Sequence, residues 1–228
     1  MSQGKSALMI AGLIVASVLA GTGLGLAVSQ EGGFSGIATT VTQTTTMSGQ
    51  NASAPYVLTL IITTDNGFNS TIGDQPAYYV LGPSGLESSV NITLPAHRLI
   101  ELVISNYDEG NASLSAPQYA NVTGTEQGSE LVYNNTAINS TEGPSGIVLR
   151  GSQSVSSLPL TEISHTFTVP SLGLNLPMAS ESTVVAYFTT GAAGTYVWLC
   201  ETACGVGANG FAGAMSTPGW MNGSIVVN

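Results

Sequence analysis

The sequence predicts an all-β sandwich that follows a single N-terminal transmembrane helix. After residue 28, short runs rich in Val, Ile, Thr, Tyr and Phe alternate with Gly, Pro, Asn and Asp, as is typical of strands joined by turns. No window beyond that point has the 3.6-residue periodicity of an amphipathic helix. Before it, Ala7–Val28 contains no charged residue. As a helix this run would span about 33 Å, the thickness of a bilayer core.

The charge composition excludes several classes of function. The chain of 228 residues has three Lys and Arg against thirteen Asp and Glu, which gives a formal net charge of −10. Such a chain lacks the basic surface that phosphates require, so no nucleic acid is expected as a partner. Two Cys and two His are too few for a disulfide-rich scaffold and for most catalytic arrangements. Because no Walker-type loop or zincin motif occurs, no independent enzyme is predicted.

Residues 1–28 are interpreted as an N-terminal membrane anchor. Lys5 is the only basic residue before the apolar run, so the positive-inside rule places the N-terminus in the cytoplasm. A cleaved signal peptide is the alternative, with Ala27-Val28-Ser29 as a cleavage site. Both interpretations export the rest of the chain. The retained anchor predicts a single-pass protein of the cell membrane, with its C-terminal domain on the extracytoplasmic side.

The exported part divides into a linker and a β domain. Residues 29–55 are rich in Thr and Ser and lack periodicity, which is typical of a linker. Residues 56–228 form the domain, with a polar stretch at 107–160 that we interpret as an insertion between core strands. The predicted core strands are Val57–Thr63, Ala77–Leu81, Leu99–Ser105, Glu162–Val169, Ser182–Thr189, Gly194–Cys200 and Gly223–Val227.

Asn-x-Ser/Thr sequons are frequent in the exported part, so a glycoprotein is expected. The sequons begin at Asn51, Asn69, Asn91, Asn111, Asn121, Asn134, Asn139 and Asn222. A chain rich in Asn, Ser and Thr also produces such sequences by composition alone.

Residue types that bind soft metals gather in the last third of the chain. In Glu162–Val169, alternation with a period of two places His165 among the apolar residues, which point toward the core. A buried imidazole needs a hydrogen bond or a metal. Cys200 ends the next-to-last predicted strand and begins a loop that contains Cys204 and Met215. Imidazole, thiolate and thioether are the ligands of copper that cycles between Cu(I) and Cu(II).

These segments resemble a cupredoxin, the Greek-key β-sandwich of blue-copper proteins. The resemblance rests on Ser-His165-Thr-Phe, on Gly194-x-Tyr-x-Trp-x-Cys200, on the loop that ends at Met215 and on the final Gly-x-Ile-Val-Val strand. The Cys200-x-x-x-Cys204-Gly sequence further resembles the binuclear copper (CuA) domain of haem-copper oxidase subunit II. One membrane anchor followed by an exported cupredoxin is similar to the single-anchor form of that subunit.

The resemblance implies copper as the cofactor, held by His165, Cys200, Cys204 and Met215. One ligand of the binuclear pattern is missing, because the second histidine should stand where this chain has Ala208. His97, the other histidine, lies near the start of a strand and is expected at the surface. Three outcomes stay open: an unusual copper centre, a Cys200–Cys204 disulfide on a metal-free cupredoxin fold, and two free thiols beside a core histidine.

The function implied by this resemblance is electron transfer by a membrane-anchored, extracytoplasmic cupredoxin. The protein would serve a redox partner protein or act as a subunit II-like component of a haem-copper respiratory oxidase, beside its membrane subunits. The alternatives are a metal-free accessory subunit with a cupredoxin fold and a structural cell-surface glycoprotein, each with a Cys200–Cys204 disulfide. Copper content distinguishes the first function from the other two.

Overall fold

The fold is described by a computed structural model, which covers residues 54–64, 74–137 and 147–228. In these ranges the strands are β1 (Tyr56–Thr63), β2 (Ala77–Gly82), β3 (Gly85–Ser88), β4 (Asn91–Leu94), β5 (Leu99–Asn106), β6 (Glu130–Ala137), β7 (Ile147–Val155), β8 (Ile163–Val169), β9 (Leu174–Ala179), β10 (Ser182–Thr189), β11 (Gly194–Leu199) and β12 (Asn222–Val227). Three short 3-10 helices span Pro117–Ala120, Pro170–Leu172 and Gly213–Ser216. The predicted anchor and nearly all of the predicted linker lie outside the described residues. Within the described ranges, no helix has the length and apolar character needed to cross a membrane.

The strands form two sheets that share one apolar core, which confirms the predicted all-β sandwich. One sheet has seven strands in the order β3-β2-β1-β5-β10-β6-β7, and the other has five in the order β4-β12-β11-β8-β9. Most neighbouring strands are antiparallel, but β1 runs parallel to β5 and β4 runs parallel to β12. Buried apolar side chains from both sheets form a single cluster between them.

Three aromatic side chains join the two sheets at the centre of this core. The ring centroid of Trp198 lies 5.1 Å from that of Tyr78 and 5.5 Å from that of Phe167. The polar end of each amphipathic ring is satisfied, because the Tyr78 hydroxyl donates to the Thr166 carbonyl at 2.8 Å and the Trp198 indole donates to the Ser89 carbonyl at 3.1 Å. The aromatic contacts therefore fix β2 against β8 and β11.

All seven predicted core strands are present, and each end is correct to within one residue. Five further strands were missed: β3, β4, β6, β7 and β9. Two of them, β3 and β4, have only four residues each, too few for a clear alternation. Pro177 lies inside β9 and argues against a strand in sequence terms, but β9 is an edge strand, where proline is tolerated.

The polar stretch 107–160 is part of the sandwich wherever the structure describes it. In this stretch, β6 pairs with β10 and β7 pairs with β6, so both strands extend the seven-stranded sheet. Its earlier part lies against the five-stranded sheet, where Leu114 pairs with Thr202 and Thr123 pairs with Asn175. The Asn175 amide also donates to the carbonyls of Tyr119 and Asn121. This stretch therefore covers polar residues of the five-stranded sheet that would otherwise face water.

Glu130, the first residue of β6, is a buried carboxyl without a partner. Only 2% of its surface is exposed, and neither carboxylate oxygen has a hydrogen-bond partner among the described residues. A small cavity of about 100 Å³ adjoins it, and Tyr187 is the other titratable group in the cavity lining. Burial raises the pKa of Glu130 to about 9.

We predict that Glu130 makes the folded protein less stable as the pH rises. From pH 4.5, the ordinary pKa of a glutamate, to about pH 9, the folded state keeps a proton that the unfolded state releases. The free energy of unfolding should therefore fall by up to about 1.4 kcal/mol per pH unit. In urea unfolding from pH 4 to 9, Glu130→Gln should remove this part of the slope. Glu162→Gln, which neutralises an exposed carboxylate, should not; equal slopes for wild type and E130Q would contradict the prediction.

Candidate metal centre

One end of the sandwich brings together the residues that the sequence marked as metal ligands. His165 lies on β8, Cys200 directly follows β11, and Cys204 and Met215 lie in the loop between β11 and β12. The ligand atoms of His165, Cys200 and Cys204 all lie within 4.8 Å of one another. The sulfur atoms of Cys204 and Met215 are 3.3 Å apart. One imidazole and three sulfur atoms thus converge.

The site is closed toward the core and less covered at the loop. His165 and Cys200 are each 1% exposed, whereas Cys204 and Met215 are half-buried. Trp198, on β11 two residues before Cys200, and Phe167, on β8 with His165, pack in the core. Water is therefore excluded from the imidazole and from the first thiol.

The imidazole of His165 is held by Asp108. Its Nε2 atom is 2.9 Å from Asp108 Oδ2, while its buried Nδ1 atom has no hydrogen-bond partner within the described part of the chain. Burial alone would lower the pKa of His165, but the hydrogen bond to Asp108 and the nearby Cys200 thiol raise it to about 9. Burial would raise the pKa of Asp108, but its hydrogen bonds, first that from His165, hold it below its usual value.

The Cys200 sulfur lies among several hydrogen-bond donors. The backbone N–H of Thr166 donates to it at 3.4 Å, and the Thr202 hydroxyl oxygen is 3.0 Å away. Burial alone would raise the Cys200 pKa, but the adjacent Cys204 thiol and the nearby imidazole of His165 hold it well below its usual value. Cys200 is therefore the thiol that ionises first, and a thiolate is the form that binds metals.

Cys204 behaves as the protonated partner of Cys200. The two Sγ atoms are 3.6 Å apart and are not covalently bonded, since a disulfide would require about 2.05 Å. The hydrogen bond to Cys200, then burial and the charge of Cys200, raise the pKa of Cys204. A metal cation bound by both sulfur atoms would release the proton of Cys204.

The glycine-rich part of the ligand loop folds into a tight hairpin. Val206 and Ala212 exchange backbone hydrogen bonds of 3.1 and 3.0 Å, and the Gly205 N–H donates to the Gly210 carbonyl at 2.7 Å. A Cβ atom at Gly205 would lie 2.0 Å from the Ala212 carbonyl oxygen, so no other residue fits there. These hydrogen bonds and the lack of space at Gly205 therefore give this part of the loop a defined conformation.

Met215 is fixed by contacts on both sides of it. The backbone N–H of Ala214 donates to Gln75 Oε1 at 2.9 Å, and the Met215 carbonyl accepts a hydrogen bond from Asn222 Nδ2 at 2.9 Å. Asn222 is the first residue of β12, so the loop is tied to the sheet directly after Met215.

Residues of the stretch 107–160 lie beside the cysteines and form hydrogen bonds with the residues that adjoin them. The Ala203 N–H donates to the Ser113 carbonyl at 2.8 Å, and the Ser115 N–H donates to the Glu201 carbonyl at 2.7 Å. The Ser115 hydroxyl also donates to the Glu201 carboxylate at 2.6 Å. Sequence reasoning missed this role and that of Asp108, because the residues are dozens of positions from the cysteines and match no motif.

His97 and Ala208 lie away from the cluster. His97 is exposed and follows β4, whose last residue, Leu94, pairs with Val227 at the far end of β12. The β11 residue before Cys200 pairs with the first residue of β12, so His97 is separated from the cluster by about 17 Å of strand. Ala208 is exposed in the hairpin. The residues that the structure describes therefore offer one imidazole to the site, and His97 lies at the surface as predicted.

No protein-family profile and no curated protein sequence matches the chain. Among solved structures it aligns with rusticyanin from Thiobacillus ferrooxidans at 14% identity and a TM-score of 0.31, covering 75% of this chain and 76% of that one. It aligns with auracyanin A, a blue copper protein of Chloroflexus aurantiacus, at 14% identity and a TM-score of 0.30, covering 75% and 99%. Auracyanin B gives 13% identity and a TM-score of 0.30, covering 77% and 91%. Rusticyanin and the auracyanins are cupredoxins.

The Thr202 hydroxyl yields a prediction about the ligand loop. It is fully buried, donates to the Ser164 carbonyl at 2.9 Å and contacts both thiol sulfurs. Thr202→Val keeps the shape but leaves that carbonyl without its donor, so urea unfolding should show a loss of about 1–3 kcal/mol. Thr195→Val, on the exposed face of β11, should change stability by less than about 0.5 kcal/mol. Equal effects of the two variants would refute the role of this hydroxyl.

Proposed function

We propose that this protein binds copper at the His165, Cys200, Cys204 and Met215 cluster and transfers electrons as a cupredoxin-like protein. The observation that carries the proposal is the convergence of an imidazole, two thiols and a thioether at one buried end of the sandwich. This nitrogen and sulfur set suits copper and is unsuited to Mg²⁺ or Ca²⁺, which take oxygen ligands. The buried, unpartnered Nδ1 atom of His165 is an atom that a metal ion would satisfy.

The residues around the cluster fit the task of holding such a cofactor. Copper bound there would supply one-electron exchange between Cu(I) and Cu(II). The chain itself supplies the dry pocket, the hydrogen bond from the Thr166 N–H to the Cys200 sulfur, and the hydrogen bonds from Ala214 to Gln75 and from Asn222 to Met215 that fix the backbone at Met215. Hydrogen bonds to a ligating sulfur are one of the factors that tune the potential of a copper site.

We further propose that the domain is tethered to the cell membrane and works on its extracytoplasmic side. The uncharged run Ala7–Val28 and the single Lys5 before it support this location. A redox partner protein or the membrane subunits of a respiratory oxidase would then exchange electrons with it, and the net charge of −10 would attract a basic partner. The subunit II-like role rests on the Cys200-x-x-x-Cys204 sequence.

The 3.6 Å separation of the two sulfurs favours one other function. A small movement of either side chain would allow a disulfide to form in an oxidising exterior. The domain would then be a metal-free accessory subunit or a structural cell-surface protein. In that case the unpartnered Nδ1 atom and the nearby thioether would have no role.

Copper content and an optical spectrum of the full-length protein in detergent, reduced and then loaded with copper, test the proposal. Stoichiometric copper with an intense thiolate-to-copper charge-transfer band is expected. Cys200→Ser should abolish the band, Met215→Leu should shift it, and His97→Asn should leave binding unchanged, since His97 lies remote from the cluster. Absence of copper, together with a Cys200–Cys204 disulfide in mass spectrometry, would support the metal-free function instead.

The sequons give a separate prediction for the exported glycoprotein. Asn91, Asn111 and Asn121 are exposed, although the amide nitrogens of Asn111 and Asn121 donate to nearby backbone carbonyls. Asn222 is half-buried, and its amide nitrogen donates to the Met215 carbonyl beside the candidate metal site. A glycan on that nitrogen would interfere with this bond, so we expect Asn222 to be unmodified in the folded protein. Glycopeptide mass spectrometry on protein from its native source checks this, and full occupancy at Asn222 would contradict it.

A further inference from the structure

Asp108 determines which nitrogen of His165 carries a proton. Its Oδ2 atom is 2.9 Å from Nε2, and an ionised carboxylate can only accept hydrogen bonds. The Nε2 atom must therefore carry a hydrogen. When the imidazole is neutral, its free lone pair is then on Nδ1.

The position of the Asp108 carboxylate is fixed without help from the histidine. Its backbone N–H donates to Asn106 Oδ1 at 3.0 Å, and its carbonyl accepts the Glu181 N–H at 3.1 Å. Its second carboxylate oxygen accepts the Gly110 N–H at 3.0 Å. Asn106 is fully buried and donates to the Ala179 carbonyl at 2.9 Å, which ties the Asp108 turn to β9. The acceptor is thus in place before any ligand binds.

The other nitrogen of the ring is the one left for the sulfur side of the site. Nδ1 is buried and has no hydrogen-bond partner in residues 54–64, 74–137 and 147–228. One ring nitrogen of His165 belongs to the cluster with Cys200 and Cys204, and Nε2 is already engaged by Asp108. Nδ1 is therefore the nitrogen available to a metal.

We propose that Asp108 is a positioning residue of the metal centre, which holds the Nε2 proton of His165 and so presents Nδ1 to the metal together with Cys200 and Cys204. This inference rests on the proposed function. A carboxylate hydrogen-bonded to a ligating histidine fixes the tautomer and ring orientation and makes the nitrogen a stronger donor. Because Asp108 belongs to the polar stretch 107–160, this stretch contributes a residue to the proposed metal centre.

Cu(I) affinity of the full-length protein, measured by competition with a chromophoric Cu(I) chelator, tests the proposal. Asp108→Ala should weaken Cu(I) binding 10- to 100-fold, the range typical of such outer-shell partners. Asp108→Asn, which has the same shape but no charge, should fall between wild type and D108A. Glu109→Gln removes the same charge from the adjacent residue, whose side chain is exposed, and should bind Cu(I) like wild type.

A second readout reports the tautomer itself. Cu(I) is diamagnetic, so the ¹⁵N signals of a labelled His165 can be recorded in the loaded protein. Wild type should show a protonated Nε2 atom that exchanges slowly with water and a metal-bound Nδ1 atom. D108A should lose the slow exchange, which a purely structural role of Asp108 would not require.

The two proposals fail in different ways. If wild type binds Cu(I) and D108A binds it equally well, or if wild type shows Nδ1 protonated, the role of Asp108 is overturned and the copper site stands. If wild type itself binds no copper, the proposed function is overturned and the inference falls with it. Should D108A fail to fold, D108N decides by the same comparison: affinity equal to wild type overturns the inference, and weakened affinity supports it.

Discussion

The candidate site depends on one constraint, which is that β8 is buried on both faces. All seven of its residues are buried, so each polar atom must find a partner inside the protein. Thr168 bonds to Asn175 on β9, Thr166 accepts the Glu201 N–H after Cys200, and His165 bonds to Asp108. These bonds bring the neighbouring strand, the cysteine loop and the polar stretch 107–160 against the same strand. Two side-chain atoms of β8, Ser164 Oγ and His165 Nδ1, have no hydrogen-bond partner among the described residues, and the imidazole lies where the sulfur atoms gather.

The sequence predicted those features that depend on residues close together along the chain. Alternation with a period of two located the long core strands and turned His165 inward, and the spacing of Cys200, Cys204 and Met215 identified the loop that carries them. Asp108 could not be found in this way, because it is one of thirteen carboxylates and lies 57 positions from His165. The strand β9 was hidden by Pro177, whose tolerance depends on an edge position that only the sheet order reveals.

Hydrogen bonds between uncharged groups, rather than ion pairs, make most of the buried polar contacts around β8. Charged residues make up 7% of the chain, and the buried contacts around β8 are made largely by Thr, Asn and Ser. Such bonds change little with salt or with acid, in contrast to surface ion pairs. The Asp108–His165 pair is an ion pair, and it lies at the candidate site.

The sheet order also restricts when the site can assemble. The strand β12 is last among those described, yet it lies inside the five-stranded sheet, between β4 and β11. Until it docks, β4 has no partner in that sheet, and the tie from Asn222 to Met215 does not exist. The ligand loop therefore takes its final shape only after synthesis has passed Val227. A metal that needs the complete ligand set can therefore bind only after β12 has docked and the Asn222 amide has fixed the backbone at Met215.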